Sequence, residues 1–177
     1  EHGVPPWAIM AITFTNKAAK EMRERIEKLA GEGAGEIWVS TFHSGCAKIL
    51  RRDIEKLGYT RSFTIYDDED QMSALKEILK KLNIDDKFLP PREIKSKISD
   101  AKNKLLGPQD WFAQSERDYR SQLIYDVYNA YEEKLKSSNS LDFDDLIVKT
   151  LELFAQHPPV LEAYQRKIRY IHVDEYQ

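Results

Sequence analysis

Residues 9–30 read IMAITFTNKAAKEMRERIEKLA, and this stretch decides the fold class. Its first six residues form a short apolar run that favours a β-strand. From residue 17 to residue 30 the apolar residues follow a helical period, so the stretch predicts a strand, a tight turn and a helix. Thr15 or Asn16 is expected to cap the helix, because a short side-chain oxygen can accept a hydrogen bond from a free amide of the first turn.

The same order of elements recurs further along the chain. Residues 37–42 (IWVSTF) predict a second strand, and residues 46–57 predict a second helix that stops at Gly58. Residues 170–173 (YIHV) predict a third strand of the buried type, which runs directly into two acidic residues. Strand–helix units in series point to a parallel sheet with helical crossovers.

Between the second and third strands the pattern is almost entirely helical. Residues 59–140 carry apolar stripes at helical spacing and little strand-like pattern apart from residues 63–65. The expected helices begin near residues 67, 90 and 116, and two more are expected over 141–156 and 158–167. The predicted fold class is α/β and predominantly helical, with a partial parallel sheet interrupted by an all-helical insertion. The predicted domains are residues 1–58, 59–140 and 141–177.

Composition narrows the class of protein. The 177 residues include 27 Lys and Arg against 30 Asp and Glu, and 41% of them are hydrophobic, which excludes collagen-like and wholly disordered chains. No apolar run approaches the roughly 20 residues that span a membrane, so no membrane partner is expected. The single cysteine, Cys46, cannot form an internal disulfide and favours a cytoplasmic location. Because the formal net charge is −3, any nucleic-acid site must be local.

The acidic pair Asp174 and Glu175 directly follows the third predicted strand. In open parallel sheets, ligands bind at the carboxyl ends of the strands. Nucleotide-hydrolysing motors use one carboxylate there to hold Mg²⁺ and another group to orient the attacking water, so Asp174 is a candidate metal ligand and Glu175 a candidate catalytic base. A solvated acidic turn explains the bare string equally well, and it is the commoner explanation for such a string alone.

An aromatic residue and small polar side chains lie at the ends of the first two predicted strands: Phe14, Thr15 and Asn16 at one, and Thr41, Phe42 and His43 at the other. A helix amino terminus attracts phosphate, and an aromatic ring stacks on an unpaired base with about 1–3 kcal/mol. Two such junctions side by side therefore suit a track for a single-stranded nucleic acid. Each junction alone fits a core phenylalanine beside a helix cap, but the repetition of Thr-Phe favours the functional interpretation.

Two basic clusters could hold the phosphates of a duplex or a single strand: Lys48, Arg51, Arg52, Lys56 and Arg61, and then Arg92, Lys95, Lys97, Lys102 and Lys104. Acidic residues are interleaved with both clusters, so solvated helix faces explain them at least as well. The acids of residues 142–145 (DFDD) are accounted for by helix capping and by the helix dipole.

The sequence contains no Gly-x-x-x-x-Gly-Lys-Ser/Thr loop, which is the usual cradle for nucleotide phosphates. An acidic pair close to the last residue, in a chain without that loop, predicts that this sequence is a fragment of a larger protein.

Four strings resemble, in the right order, the motifs of the UvrD/PcrA/Rep family of superfamily-one DNA helicases. Residues 11–22 (AITFTNKAAKEM) resemble motif Ia, residues 40–44 (STFHS) motif Ib, residues 141–146 (LDFDDL) the acidic helix before motif II, and residues 173–177 (VDEYQ) motif II. The strings span nearly the whole chain. Four motifs in order are highly specific, whereas any one alone is weak.

The resemblance implies a RecA-like first motor domain without its phosphate-loop strand, and a helical subdomain inserted between motifs Ib and II. It implies an enzyme that uses ATP and Mg²⁺ to move 3′ to 5′ on single-stranded DNA, and that acts at junctions of single and double strands in DNA repair or replication. By position it assigns DNA contacts to Phe14, Thr15, Asn16, Thr41, Phe42 and His43. It assigns Mg²⁺ to Asp174, activation of water to Glu175 and a place near the γ-phosphate to Gln177.

In that family the phosphate loop would precede Glu1 and a second motor domain would follow Gln177, so this chain alone is expected neither to hydrolyse ATP nor to unwind DNA. The unpaired edges of its partial sheet favour self-association. Two alternatives stay open. One is a helicase–nuclease subunit of the RecB/AddA kind. The other, from a different class, is a non-catalytic helical module that binds duplex DNA or a protein.

Overall fold

The computed structural model of the chain describes residues 3–31 and 33–174. The chain is mostly helical with a small parallel sheet, as the predicted, predominantly helical α/β class requires. It forms two compact units, one of Glu1–Lys56 with Thr150–Gln177 and one of Leu57–Lys149. No helix among the described residues is both long enough and apolar enough to cross a membrane.

The strands are β1 (Ile9–Thr13), β2 (Trp38–Thr41), β3 (Thr64–Ile65), β4 (Ser140–Leu141) and β5 (Tyr170–Val173). The α-helices are α1 (Asn16–Ala30), α2 (Phe42–Asp53), α3 (Asp68–Lys81), α4 (Pro91–Asn103), α5 (Pro108–Gln114), α6 (Tyr119–Ser137), α7 (Phe143–Gln156) and α8 (Pro158–Lys167). Short 3₁₀ turns cover Pro6–Ala8, Ala34–Glu36 and Ile54–Leu57.

The first unit is built on a parallel sheet with the strand order β2-β1-β5. The central strand, β1, is buried along its length except at Ile9, which explains its nearly continuous apolar sequence. Thr13 of β1 pairs with Thr41 of β2, and Ile12 pairs with Val173 of β5. The three strands predicted from the sequence are therefore present and adjacent, and they end at the same edge of the sheet.

The helix after β2 begins earlier than its sequence pattern predicts. It starts at Phe42, whereas residue 46 was expected, because the Thr41 hydroxyl accepts a hydrogen bond from the backbone N–H of Ser44 at 3.2 Å and so starts the first turn. The apolar pattern indicates the helix only from residue 46, since the first turn holds small and polar residues. Phe42 and His43 therefore lie in the first turn of α2.

The second unit is a helical cluster around the predicted apolar stripes. Its core joins α3, α4 and α6 through Leu75, Leu79, Ile94, Ile98, Val127, Tyr128 and Tyr131, all of them buried. The helix α5 was not predicted. Its seven residues are too few to establish a helical period, and none of them is buried.

A short parallel ladder joins the two ends of the second unit. Thr64 of β3 pairs with Ser140 of β4, and the residue before β4, Asn139, has a positive φ of 48°. The Asn139 side chain accepts a hydrogen bond from the backbone N–H of Thr60 at 2.8 Å and donates one to the Thr60 hydroxyl at 2.7 Å. The sequence does not predict β4, because residues 137–140, which include its first residue, form a polar stretch typical of a loop.

A buried ammonium group lies at the centre of three carboxylates in the second unit. Lys102 of α4 is only 3% exposed, and its Nζ lies 2.8 Å from an oxygen of Glu132, of Asp142 and of Asp145. Both interpretations of Lys102 from the sequence, a phosphate contact and a member of a solvated helix face, are therefore wrong. The periodicity of α4 assigns it to a solvated face, but its carboxylate partners lie on α6 and at the start of α7.

The two aspartates also cap α7. The Asp142 carboxylate accepts a hydrogen bond from the backbone N–H of Asp145 at 2.9 Å, and the Asp145 carboxylate accepts one from that of Asp142 at 3.2 Å. The predicted capping role is present, and it coexists with the ion pairs. The Tyr131 hydroxyl donates a further hydrogen bond to Asp142 at 3.1 Å.

Burial and charge act in opposite directions in this cluster. Burial alone would lower the pKa of Lys102, but Asp145, Asp142 and Glu132 outweigh it and hold that pKa well above its ordinary value. Burial raises the pKa of Asp145, and the negative charges of Asp142 and Glu132 raise it further. The positive charge of Lys102 lowers it, but by less than these effects together. Three carboxylates around one ammonium leave excess negative charge, so the folded state binds a proton more tightly than the unfolded chain does.

We expect Lys102→Met to lower the free energy of unfolding by about 3–5 kcal/mol, because it leaves buried carboxylates without their cation. The control is Lys104→Met, an exposed lysine just beyond the end of the same helix, with an expected change of about 0.5 kcal/mol or less. Urea denaturation followed by far-UV circular dichroism measures both. Equal stabilities would contradict the structural role of the cluster.

We expect Asp145→Asn to change the pH dependence of stability. The ordinary pKa of this carboxyl, 3.8, is raised in the folded state, so its ionisation costs the native chain increasing free energy as the pH rises above about 4. The parent chain should therefore lose stability relative to Asp145→Asn between about pH 4 and neutrality. Thermal unfolding of both chains across this range tests the sign. A difference that is independent of pH, or that grows in favour of the parent chain, would refute it.

Candidate functional site

The ends of β1 and β2 bring two phenylalanines together. Because Thr13 and Thr41 are paired, the residues that follow them leave the sheet side by side. The ring centroids of Phe14 and Phe42 are 5.4 Å apart and the rings are inclined by 56°. Phe14 is 64% exposed, whereas Phe42 is half-buried. This pair is therefore an aromatic surface patch rather than part of the core.

The threonines at this edge cap the two helices. The Thr15 hydroxyl accepts a hydrogen bond from the backbone N–H of Ala18 at 3.1 Å. The Thr41 hydroxyl accepts one from the backbone N–H of Ser44 and donates one to the Ser44 hydroxyl at 2.9 Å. Thr41 is buried, so its hydroxyl serves the fold, whereas Thr15 is exposed.

Asn16 and His43 complete the set of predicted DNA contacts. Asn16 is the exposed first residue of α1, and His43 is a half-buried residue in the first turn of α2. Both helices therefore begin at the same edge as the phenylalanine pair. Helix amino termini present unpaired N–H groups and partial positive charge, which favour phosphate.

Asp174 lies at the same edge on the other side of β1. Its backbone N–H donates a hydrogen bond to the carbonyl oxygen of Ile12 at 2.9 Å, and the residue is exposed. Phe14, Phe42 and Asp174 thus follow three adjacent strands, and we call this surface the strand-end site. The predicted base Glu175 and the predicted nucleotide contact Gln177 lie outside the described residues.

The strand-end site offers one carboxylate to a metal ion. Within residues 3–31 and 33–174, no group of three or more acidic, histidine or cysteine residues could hold a metal ion. An exposed carboxylate oxygen still fits Mg²⁺, which keeps several waters and is usually held by one or two protein carboxylates together with substrate phosphates.

The model of one helicase family matches the whole chain. It is described as the UvrD/REP helicase N-terminal domain, and it covers residues 1–177. The chain belongs to this UvrD/REP helicase family.

Curated relatives agree with this family. The ATP-dependent DNA helicase PcrA of Bacillus subtilis (strain 168) is 55% identical over 177 residues, which is 100% of this chain and 24% of that protein. The proteins of the same name from Staphylococcus aureus (strain Mu50) and Staphylococcus epidermidis (strain ATCC 35984) are each 53% identical over 178 residues, with the same coverage. The chain therefore spans about a quarter of the length of the relatives that it matches.

In this UvrD/REP domain the strand at one edge of the sheet has exposed apolar side chains. The strand β5 is the last in the order β2-β1-β5, and its apolar residues Tyr170 and Ile171 are 50% and 60% exposed. The sequence predicted a strand of the buried type here, and among the described residues that prediction is wrong. An apolar run indicates that a strand can be buried, but it does not indicate which other segment covers it.

Proposed function

We propose that this chain is the segment between motifs Ia and II of an ATP-dependent DNA helicase, and that the intact protein moves 3′ to 5′ along single-stranded DNA. Membership of the UvrD/REP family and the names of the PcrA relatives support this function. The observation that carries it is the strand-end site, where two aromatic junctions and an acidic strand end share one edge of the sheet.

The first part of the proposal is a track for the DNA strand along β1 and β2. The exposed ring of Phe14 offers a face to an unpaired base, and Phe42 supports that ring from 5.4 Å away. Stacking of this kind is independent of base identity and is worth about 1–3 kcal/mol per base, as a translocating protein requires. Thr15 and Asn16 at the start of α1, and Thr41 and His43 at the start of α2, would place the DNA backbone at the two helix amino termini.

The second part is the nucleotide end of the site. Asp174 would hold Mg²⁺, and the ion would offset the negative charge of the ATP phosphates. Glu175 would orient the attacking water and accept its proton, and Gln177 would lie near the γ-phosphate. The roles of Glu175 and Gln177 rest on the resemblance of residues 173–177 to motif II.

The third part concerns the sheet and the division of the chain. The exposed edge of β5 supports a partial RecA-like sheet that is completed elsewhere in the intact protein by a phosphate-loop strand. We propose the helical segment 59–140 as an inserted subdomain.

The isolated chain should not hydrolyse ATP, and its exposed β5 edge should favour self-association. A cytoplasmic protein that acts on junctions of single and double strands in DNA repair or replication fits this function.

The structure gives less support to the alternative of a non-catalytic helical DNA-binding module. One member of the second basic cluster, Lys102, is buried and neutralised by carboxylates, and Lys95 is paired with Asp68. The face that would bind duplex DNA therefore has fewer available cations than its sequence suggested.

We expect Phe14→Ala, in the intact protein that contains this chain, to weaken binding of single-stranded DNA by about tenfold or more, because it removes the exposed stacking surface. Phe42→Ala should have a smaller effect, since its ring is half-buried. Fluorescence anisotropy with labelled oligothymidylate measures the affinity, and ATP hydrolysis without DNA should be unchanged.

The matched control is Phe88→Ala, which removes a ring that is 48% exposed in the second unit. It should leave the affinity for single-stranded DNA unchanged. If Phe14→Ala binds as tightly as Phe88→Ala, the track does not run over the strand-end site.

A further inference from the structure

A cleft of about 480 Å³ lies beside the outer strand β2, entirely within the first unit. We call it the outer cleft and define it by Arg23, Trp38, Lys48, Arg52, Tyr164 and Lys167. The helical period explains why these side chains lie together. Lys48 and Arg52 are four residues apart on α2, and Tyr164 and Lys167 are three apart on α8, so each pair shares one helix face.

Aromatic rings and a backbone carbonyl hold three of the four cations in place. Lys48 Nζ lies 4.8 Å from the ring centroid of Trp38, and Arg52 Cζ lies 5.7 Å from that of Tyr164. The two rings are 6.4 Å apart. Arg23 Nη2 donates a hydrogen bond to the carbonyl oxygen of Val39 at 3.0 Å. These contacts fix the positions of the cations while leaving most of their charge available, which reduces the entropy cost of binding an anion.

The charge of the outer cleft contrasts with that of the chain. The cleft is lined by four cations and, among the described residues, by the single carboxylate of Glu36, whereas the whole chain carries −3. Arg52 is partly offset by Asp53, since Nε and Oδ2 are 3.7 Å apart. The outer cleft is therefore a local positive surface that favours a polyanion.

An exposed indole indicates which polyanion fits. Trp7 also lines the cleft and is 48% exposed. A positive groove beside an exposed aromatic ring is the combination that binds single-stranded nucleic acid, because the cations hold phosphates and the ring stacks on a base. An acidic peptide would use the cations but would have no group that requires the exposed ring.

We propose that the outer cleft is a second contact for single-stranded DNA, in which Arg23, Lys48, Arg52 and Lys167 hold phosphates and Trp7 stacks on a base. The proposal rests on the proposed function in so far as DNA is the ligand. Trp38 begins β2 and Thr41 ends it, so the two sites are about 10 Å apart along that strand. A dinucleotide on the strand-end site is too short to reach the outer cleft, whereas a longer strand engages both, since one nucleotide spans about 3.4 Å or more.

The test compares Lys48→Gln/Arg52→Gln with the control Lys80→Gln/Lys81→Gln in the intact protein that contains this chain. The control removes the same charge from exposed positions at the end of α3. The short probe is a thymidylate dinucleotide, which cannot bridge the roughly 10 Å between the sites, and the long probe is an oligothymidylate of about 30 nucleotides, which exceeds the site sizes of single-strand binding folds. Affinity is measured across a salt series, together with DNA-stimulated ATP hydrolysis.

The cleft variant should bind the long probe about tenfold more weakly than the control does, and its salt dependence should fall by about 1.4 in the log–log slope, since about 0.7 is lost for each phosphate contact. Binding of the short probe and the maximal rate of ATP hydrolysis should be unchanged. Trp7→Ala should also weaken binding of the long probe. This variant carries the test if Lys48→Gln/Arg52→Gln does not fold.

Three results would overturn the proposal. In the first, the cleft variants bind the long probe as the control does. In the second, they weaken the short probe equally, which would make the cleft part of the strand-end site. In the third, polyglutamate competes for the cleft and DNA does not, which would assign it to an acidic protein. These results differ from those expected if only the proposed function is wrong. In that case Phe14→Ala would not change the affinity for either probe, while the cleft variants would still bind the long probe more weakly.

Discussion

The parallel pairing of β1 with a neighbour on each side is the constraint on which the candidate site depends. Three segments that are far apart in the sequence, around residues 14, 42 and 174, meet because Thr13 pairs with Thr41 and Ile12 with Val173. The burial of β1 on both faces keeps it at the centre of the sheet, since its side chains pack above and below it. This pairing alone brings three features to one edge of the sheet: the exposed Phe14, the amino termini of α1 and α2, and Asp174 after β5.

The second unit depends on a different interaction, the buried ammonium of Lys102 among three carboxylates. An apolar core alone does not specify which helix faces meet, whereas a buried cation has few arrangements that bring enough carboxylates around it. We infer that the cluster fixes how α4, α6 and the start of α7 pack, in keeping with the specificity that buried polar groups give some folds. The cost is the burial of excess negative charge, and the raised pKa of Asp145 reflects it.

The sequence predicted the elements well and their partners poorly. Apolar periodicity located β1, β2 and β5 and most of the helices, because it reports which face of a local element is apolar. It placed Lys102 on the surface, since the aspartates that bury it lie 40 and 43 residues away. It missed β4, whose two residues carry no period, and it could not show that β5 is exposed. The sequence singles out Phe14 and Phe42 because Thr-Phe recurs at two strand ends, and Asp174 because an acidic residue directly follows an apolar strand, but their roles in binding DNA and ATP stay predictions.

We propose that single-stranded DNA passes over the carboxyl ends of β1 and β2. The most direct test is photo-crosslinking of the intact protein to single-stranded DNA that carries 5-iodouracil, followed by identification of the crosslinked peptides by mass spectrometry. Crosslinks are expected at Phe14 and Phe42, which lie together in the structure and 28 positions apart in the sequence. Crosslinks confined to the helical unit Leu57–Lys149, with none at either phenylalanine, would contradict it.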